Sequence, residues 1–498
     1  MTPDVAADLL DGRLSIGGER RPAAGGAVYP DVNPSTGEPF AEVAASGPAD
    51  VDLAVATALR AHQEGVWRSL PVLERQRILS GVAQKLRDRT IDLARLVARE
   101  SGMPLSAARF IEIPMAADAF DFFAAAGTLV HGRTLPFSLQ GATTRYMTWT
   151  EREPVGVAAL ITPWNFPLLM PAWKVAACLA AGATAVLKPA PETPLVALAL
   201  AEAARAAGLP DGVLSVLPGG DEAGAALVAH ADVAKVALTG NTETGKIVAA
   251  EAAKTLKRVS LELGGKSPNV VFADADLDDA VSGALFGIFF NSGQVCQAGS
   301  RILVQRPLYD RFVEAVAERA GDLVVGDAED SMTDLGPLVS SAQHQRVRGY
   351  VQGALRERLT PVLGGAGEEA KGGYYFHPTV FRDVDPAATL AREEVFGPVA
   401  AIIPFDRDEE AVEIANATMY GLAAAVWTQD VRRALRTARA LQAGTVWINA
   451  YQVLSPTAPF GGFKQSGYGR DMGIEGVEAY LETKTVIADL NDRPMQYF

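Results

Sequence analysis

Cysteine is nearly absent from this chain: there are two in 498 residues, Cys178 and Cys296. The start, Met1-Thr2-Pro3-Asp4-Val5, shows no basic stretch followed by an apolar one. Without that export signal a reducing, cytoplasmic setting is expected, and a structural disulfide is not. Histidine is scarce as well. The five residues at 62, 131, 230, 344 and 377 are scattered, with no Cys or His pair at ligand spacing, so no metal site is expected. Positive charge is in deficit, 45 Lys+Arg against 59 Asp+Glu for a net charge of −14. Phosphate backbones need a basic surface, so nucleic acid is excluded as a partner. Long apolar runs are missing too: the stretches 155–161 and 280–290 are too short to span a bilayer. No low-complexity tract and no internal repeat appears.

What remains is a globular composition, 49% hydrophobic and 21% charged, long enough for several domains and large cores. From about residue 155 to 263 short apolar strands alternate with helices. Strands are expected at Val155–Ile161, Ala183–Leu187, Val213–Leu217, Val233–Leu238 and Arg258–Leu263, with helices at Pro171–Ala181, Pro194–Ala207, Ala223–His230 and Thr244–Leu256. Thr193 is the expected N-cap of the second helix, ahead of Pro194 at its first position. That rhythm implies parallel pairing with right-handed crossovers, a doubly wound α/β sheet that binds ligands at its carboxyl ends. A second α/β region follows from about 265 to 465, with a helix capped near Asp276, a strand at Arg301–Gln305 and a helix from Leu308 to about Gly321. The region before residue 130 reads as helical, over Asp50–His62, Leu73–Ser101 and Ile113–Ala126. Thr143–Glu151 and Tyr480–Asp489 fit neither block and are expected to pair outside the compact domains.

Cys296 lies in Gly293-Gln294-Val295-Cys296-Gln297-Ala298-Gly299-Ser300, a turn of small residues after an apolar run. A lone cysteine is ordinarily a small buried hydrophobe, and Cys178, in an Ala-rich helix, is read that way. Four other segments bear on Cys296. In Thr162-Pro163-Trp164-Asn165-Phe166-Pro167, Asn165 can either donate its amide to a developing oxyanion or satisfy its own turn. Glu262, between leucines at a strand end before Gly264 and Gly265, is a general-base candidate or a paired buried carboxylate. Gly240-Asn241-Thr242-Glu243-Thr244-Gly245 sits where backbone N–H groups can meet a phosphate, although it is not a dinucleotide fingerprint. Glu393-Glu394-Val395-Phe396-Gly397-Pro398 offers a carboxylate for ribose hydroxyls and an aromatic ring.

Together with Lys188-Pro189-Ala190 and the run Pro459 to Gly467, these segments resemble the aldehyde dehydrogenase superfamily over essentially the whole chain, in its NAD(P)-dependent, non-acylating class 1/2-like form. The resemblance implies Cys296 as nucleophile, Asn165 and the Cys296 N–H as oxyanion donors, Glu262 as the base that activates water, and Lys174 in positioning and proton relay. It implies cofactor contacts from Ile161, Trp164, Lys188, Gly220, Gly240, Asn241, Thr244, Leu263, Glu394 and Phe396. It also implies a substrate channel lined by Phe166, Met170, Trp173, Val295, Gln297, Leu454 and Phe460.

Two departures stand out. Many NAD-preferring relatives carry Glu three residues after the ribose lysine, where this chain has Pro191, with Glu192 one place late. A 2′-phosphate then meets no carboxylate, so NADP is expected to be accepted beside NAD. Asn241 stands where Ser is usual, so the backbone rather than the side chain is expected to cradle the pyrophosphate. The matched channel positions hold no Arg or Lys to bind a distal carboxylate, which implies an uncharged aliphatic or aromatic aldehyde. The alternatives are a catalytically silent homologue and an acylating, CoA-dependent semialdehyde dehydrogenase. The implied layout is an NAD(P)-binding domain from 1–132 and 154–263, a catalytic domain from 264–466, and a small β flap of oligomerisation segments, 133–153 and 478–498. A homodimer or a dimer of dimers is expected.

Overall fold

In the computed structural model the described residues are 5–137, 145–365 and 372–492. The ends of the expected layout at 1–4 and 493–498, the stretch 138–144 that includes Thr143 and Thr144, and 366–371 lie outside them.

Five strands form the parallel centre of an eight-stranded sheet, in the order Arg258–Glu262, Val233–Thr239, Val157–Ile161, Thr184–Lys188, Leu214–Val216. Their apolar runs are almost continuous because both faces are covered by helices. The strand order reverses beside Val157–Ile161, and the crevice beyond its carboxyl end is where such sheets take ligands. The sheet is longer than the alternating pattern implies. Gly467–Tyr468 joins one edge and the pair Leu14–Ile16 and Glu19–Arg21 the other, all antiparallel. These pieces are two or three residues long, too short to show a period.

A second sheet of seven strands runs Thr360–Leu363, Thr379–Arg382, Val399–Phe405, Arg301–Gln305, Pro268–Val271, Ala423–Trp427, Thr445–Ile448. All its pairings are parallel except the first. Tyr146–Pro154 pairs antiparallel with Leu481–Asp489 along its whole length and, on its other side, with Thr134–Leu135. The two segments that fitted neither block thus find each other.

Several local expectations shift. The helical N-terminal region also holds the hairpin Val28–Asn33 with Glu38–Ala44. The single helix expected over 73–101 is two, Val72–Asp88 and Thr90–Ser101, broken at Arg89 with φ −112°. Thr193 precedes the helix Pro194–Ala206, but its side chain makes no capping bond. The buried carboxylate of Glu100 takes that place, accepting from Leu195 N at 2.5 Å and Val196 N at 3.0 Å. The helix expected at Thr244 begins at Thr242, with Asn241 as its N-cap.

Candidate active site

The apolar helix Leu277–Phe289 delivers the chain into a tight turn at Phe290–Gly293. Asn291 and Ser292, at φ 50° and 54°, and Gly293, at φ 72°, hold three successive left-handed conformations, a strained arrangement of the kind found at functional sites. Cys296 leaves this turn half-buried. Its Sγ donates to Gln297 Oε1 at 3.4 Å. Burial and the nearby charges of Glu394 and Glu262 push the thiol up to about 12, so it is protonated at neutral pH and needs a proton acceptor to react. Gly265 lies against the same loop: a Cβ there would stand 2.3 Å from the Cys296 carbonyl oxygen.

Asn165 is buried after the strand Val157–Ile161. One N–H of its amide donates to the Gln294 carbonyl at 2.8 Å, and Asn291 Nδ2 donates to the Asn165 carbonyl at 2.9 Å. The first bond ties the amide to the Cys296 loop and leaves its other N–H to donate elsewhere. Glu262 ends the strand Arg258–Glu262 and is 3% exposed. Neither of its oxygens has a hydrogen-bond partner of ordinary geometry. Burial first, then the charge of Asp471, holds its carboxyl well above the usual range, against the pull of Lys174 and Arg470. Lys174, on the buried helix Leu169–Ala180, pairs with Asp471 Oδ2 at 2.7 Å, with both side chains buried.

These groups meet at one cavity of about 640 Å³, its mouth included. Cys296, Glu262 and Asp471 line it together with Phe166, Met170, Trp173, Gln297, Leu454 and Phe460. Trp173 and Phe460 pack at 5.7 Å, and Phe166 and Phe290 stack at 6.2 Å between ring centres. No lysine or arginine lines this cavity among the described residues. Val295, expected in the channel, lies elsewhere: it is buried in a smaller cavity with Glu394 and Phe396. The sequence reading missed Ile111, Met115, Phe286, Phe290 and Asp471 as wall residues. The first four sit in helical apolar stripes that look like core, and Asp471 is recognisable only through its contact with Lys174, 297 positions away.

The expected cofactor residues gather at the carboxyl ends of the first sheet. Ile161 and Lys188 end adjacent strands and stand opposite each other in register. Gly240 follows Val233–Thr239, and Leu263 follows Arg258–Glu262. Gly220 precedes the helix Asp221–Ala229, and Thr244 lies in the first turn of Thr242–Ala253. Lys188 is buried, and among the described residues its Nζ donates to Pro189 O at 3.2 Å, which leaves donors for ribose hydroxyls. Asn241 Oδ1 accepts from Thr244 N at 2.8 Å, so the Asn side chain serves the helix end. Across the cleft, Glu394 Oε1 accepts from Gly265 N at 3.0 Å, and burial pushes its carboxyl up to about 7. Trp164 meets Phe396 edge-on at 5.3 Å. A buried lysine with spare donors, a helix N-terminus, a carboxylate and a flat aromatic facing one cleft fit a dinucleotide.

Comparison with known proteins agrees with this geometry. The aldehyde dehydrogenase family matches residues 21–486. The putative aldehyde dehydrogenase DhaS of Bacillus subtilis (strain 168) is 45% identical over 481 residues, 96% of each chain. The mitochondrial aldehyde dehydrogenase of Homo sapiens is 44% identical over 488 residues, 97% of this chain and 93% of that one. The NAD+ complex of the aldehyde dehydrogenase from Bacillus cereus superposes with a TM-score of 0.94 at 41% identity, covering 97% of this chain and 98% of that one. The chain belongs to the aldehyde dehydrogenase family and carries out NAD-dependent aldehyde oxidation.

Proposed function

We propose that the chain converts uncharged aliphatic or aromatic aldehydes to carboxylic acids through a covalent intermediate on Cys296. The observation that carries this reading is the apolar cavity that joins the Cys296 thiol to the buried Glu262 carboxyl. Glu262, as carboxylate, takes the proton from the thiol directly or through water, a transfer its raised pKa favours. Sγ then bonds to the carbonyl carbon, and the π pair moves to oxygen, to which the free N–H of Asn165 and the Cys296 N–H donate hydrogen bonds. NAD, when bound, supplies the hydride acceptor for that carbon. The carbonyl re-forms as a thioester. Glu262 releases the thiol's proton to solvent and then accepts one from water as the hydroxyl adds to the carbonyl carbon; the C–S bond breaks, the acid leaves, and Glu262 returns its proton to the sulfur. Lys174 and Asp471 hold the charge balance behind Glu262.

For the cofactor, Lys188 holds the adenosine ribose and Glu394 the nicotinamide ribose, with Phe396 beside the ring. NADP is accepted beside NAD. Supporting this, Pro191 stands where the resemblance places a ribose-binding glutamate, so a 2′-phosphate meets no carboxylate at that place. Two carboxyls and no cation in the cavity wall disfavour a carboxylated semialdehyde. Residues 1–132 with 154–263 form the cofactor domain and 264–466 the catalytic domain. The strand Leu481–Asp489, at a sheet edge with Ile487 exposed, serves homo-oligomer assembly.

The test is an aldehyde panel run with NAD, with NADP and with added CoA. Hexanal and benzaldehyde are expected to give higher kcat/KM than succinate semialdehyde, and CoA to leave the acid product unchanged. The reverse ranking would overturn the substrate reading, and an acyl-CoA product the hydrolytic one.

A further inference from the structure

Two helices that flank the cofactor sheet are capped from a distance by buried glutamates. Glu100 serves Pro194–Ala206, and Glu112 serves Leu169–Ala180, accepting from both Leu168 N and Leu169 N through Oε1 at 2.9 Å. The first N–H groups of a helix have no intrahelical partner. Leu168, at the N-cap, brings no side-chain oxygen of its own. Glu112 ends a π-helical turn, Ala108–Glu112, just before the helix Ile113–Ala126. Pro114 lacks the N–H that would continue regular bonding there, which accounts for the wider turn. That turn aims Glu112 inward while its neighbours Ile111 and Met115 face the substrate cavity.

The glutamate is fully buried, and its Oε2 has no partner among the described residues. Such a group is costly to keep for helix capping alone. What it grips is the downstream end of the loop that carries Asn165. The Asn165 carbonyl and amide are fixed to the Cys296 loop by Asn291 and Gln294, and Glu112 fixes the other end. It also joins the two cavity walls, Ile111 and Met115 on one side, Leu169 and Met170 on the other.

We propose that Glu112 is a positioning residue for aldehyde oxidation, setting the place at which Asn165 presents its amide to the reacting oxygen. The proposal rests on the reading of Asn165 as oxyanion donor. Loss of a donor of that kind lowers kcat by about 10²–10³, and a misplacement near 1 Å by up to about 10².

The test is a double-mutant cycle of Glu112→Met and Asn165→Ala, with kcat, KM for NAD and the rate of Cys296 alkylation by iodoacetamide as readouts. Alkylation uses the thiol but no oxyanion donor. Glu112→Met is expected to lower kcat about tenfold or more in the parent enzyme and less than about twofold in the Asn165→Ala background. KM for NAD and the alkylation rate are expected to stay within about twofold. An unchanged kcat in Glu112→Met, an equal loss in both backgrounds, or alkylation falling in step with kcat would each overturn the proposal. If Glu112→Met does not fold, the cycle runs on Glu112→Asp, which keeps the carboxyl one methylene short. An unchanged kcat there overturns it as well. Full kcat in Asn165→Ala would instead sink the oxyanion reading itself, whatever Glu112 does.

Discussion

At Glu262 the role proposed for it in catalysis and the requirements of folding oppose one another. The carboxyl is buried with no hydrogen-bond partner of ordinary geometry among the described residues, and desolvation raises it well above its ordinary value of 4.5. A base so raised holds a transferred proton more firmly than an ordinary carboxylate does. The sign for stability follows from the same shift. A carboxyl whose folded pKa exceeds its unfolded one contributes stability below the unfolded value, and that contribution is lost as pH rises through the folded value. Glu262→Gln is therefore expected to raise the thermal midpoint by about 2 °C at alkaline pH and to change it little in mild acid. Scanning calorimetry at the two pH values checks this, and an equal change at both would contradict it. The same variant is expected to lose the acidic limb of the kcat/KM profile.

At the scale of elements, the site is a set of close backbone approaches that small residues permit. Gly265 has no left-handed φ, so alanine suits its backbone, and only space forbids the change. A Cβ 2.3 Å from the Cys296 carbonyl must push the Cys296 loop aside. Gly265→Ala is expected to lower kcat about tenfold or more, with a stability cost of about 1–3 kcal/mol. Steady-state kinetics beside urea unfolding measures both, and parent-like kcat would contradict the packing argument. The strand-helix alternation from 155 to 263 was legible because each strand carries a short apolar run and is separated from the next by a stretch of helix formers. The glycine turns around Cys296 and Glu262 were legible through their residue types. The short edge strands at 14–16 and 467–468 carry too few residues to show a period. The capping carboxylates Glu100 and Glu112 were invisible for another reason: their partners lie 95 and 56 residues away, and a glutamate in a helical stretch reads as a solvated face. Val295, placed in the channel by the resemblance, lines the smaller cavity beside Glu394 and Phe396 instead.

For the whole molecule, the sheet Leu481–Asp489, Tyr146–Pro154, Thr134–Leu135 stands apart from the two larger sheets. Its outer strand is nine residues long, bears the exposed side chains of Ile487 and, just beyond, Leu490, and among the described residues is paired along one edge. A long, partly apolar free edge invites strand addition from another chain. Among the described residues no helix is long and apolar enough to cross a membrane, so that apolar surface is not the flank of a helical span. Ile487→Lys is expected to shift the solution mass toward the monomer and leave NAD affinity within about threefold, because the edge lies outside the cofactor cleft. Light scattering after size exclusion reads the mass, and an unchanged mass would contradict assembly through this strand.

The central claim is that the acyl group passes through Cys296 and leaves by way of Glu262. A single turnover of Glu262→Gln with hexanal and NAD, quenched in acid and read by intact-mass and peptide mass spectrometry, addresses it directly. The account predicts a rapid burst of NADH close to one per site, with slow release of acid and a hexanoyl adduct on the peptide bearing Cys296. A burst without an adduct, an adduct on another residue, or steady-state turnover equal to that of the parent enzyme would contradict it.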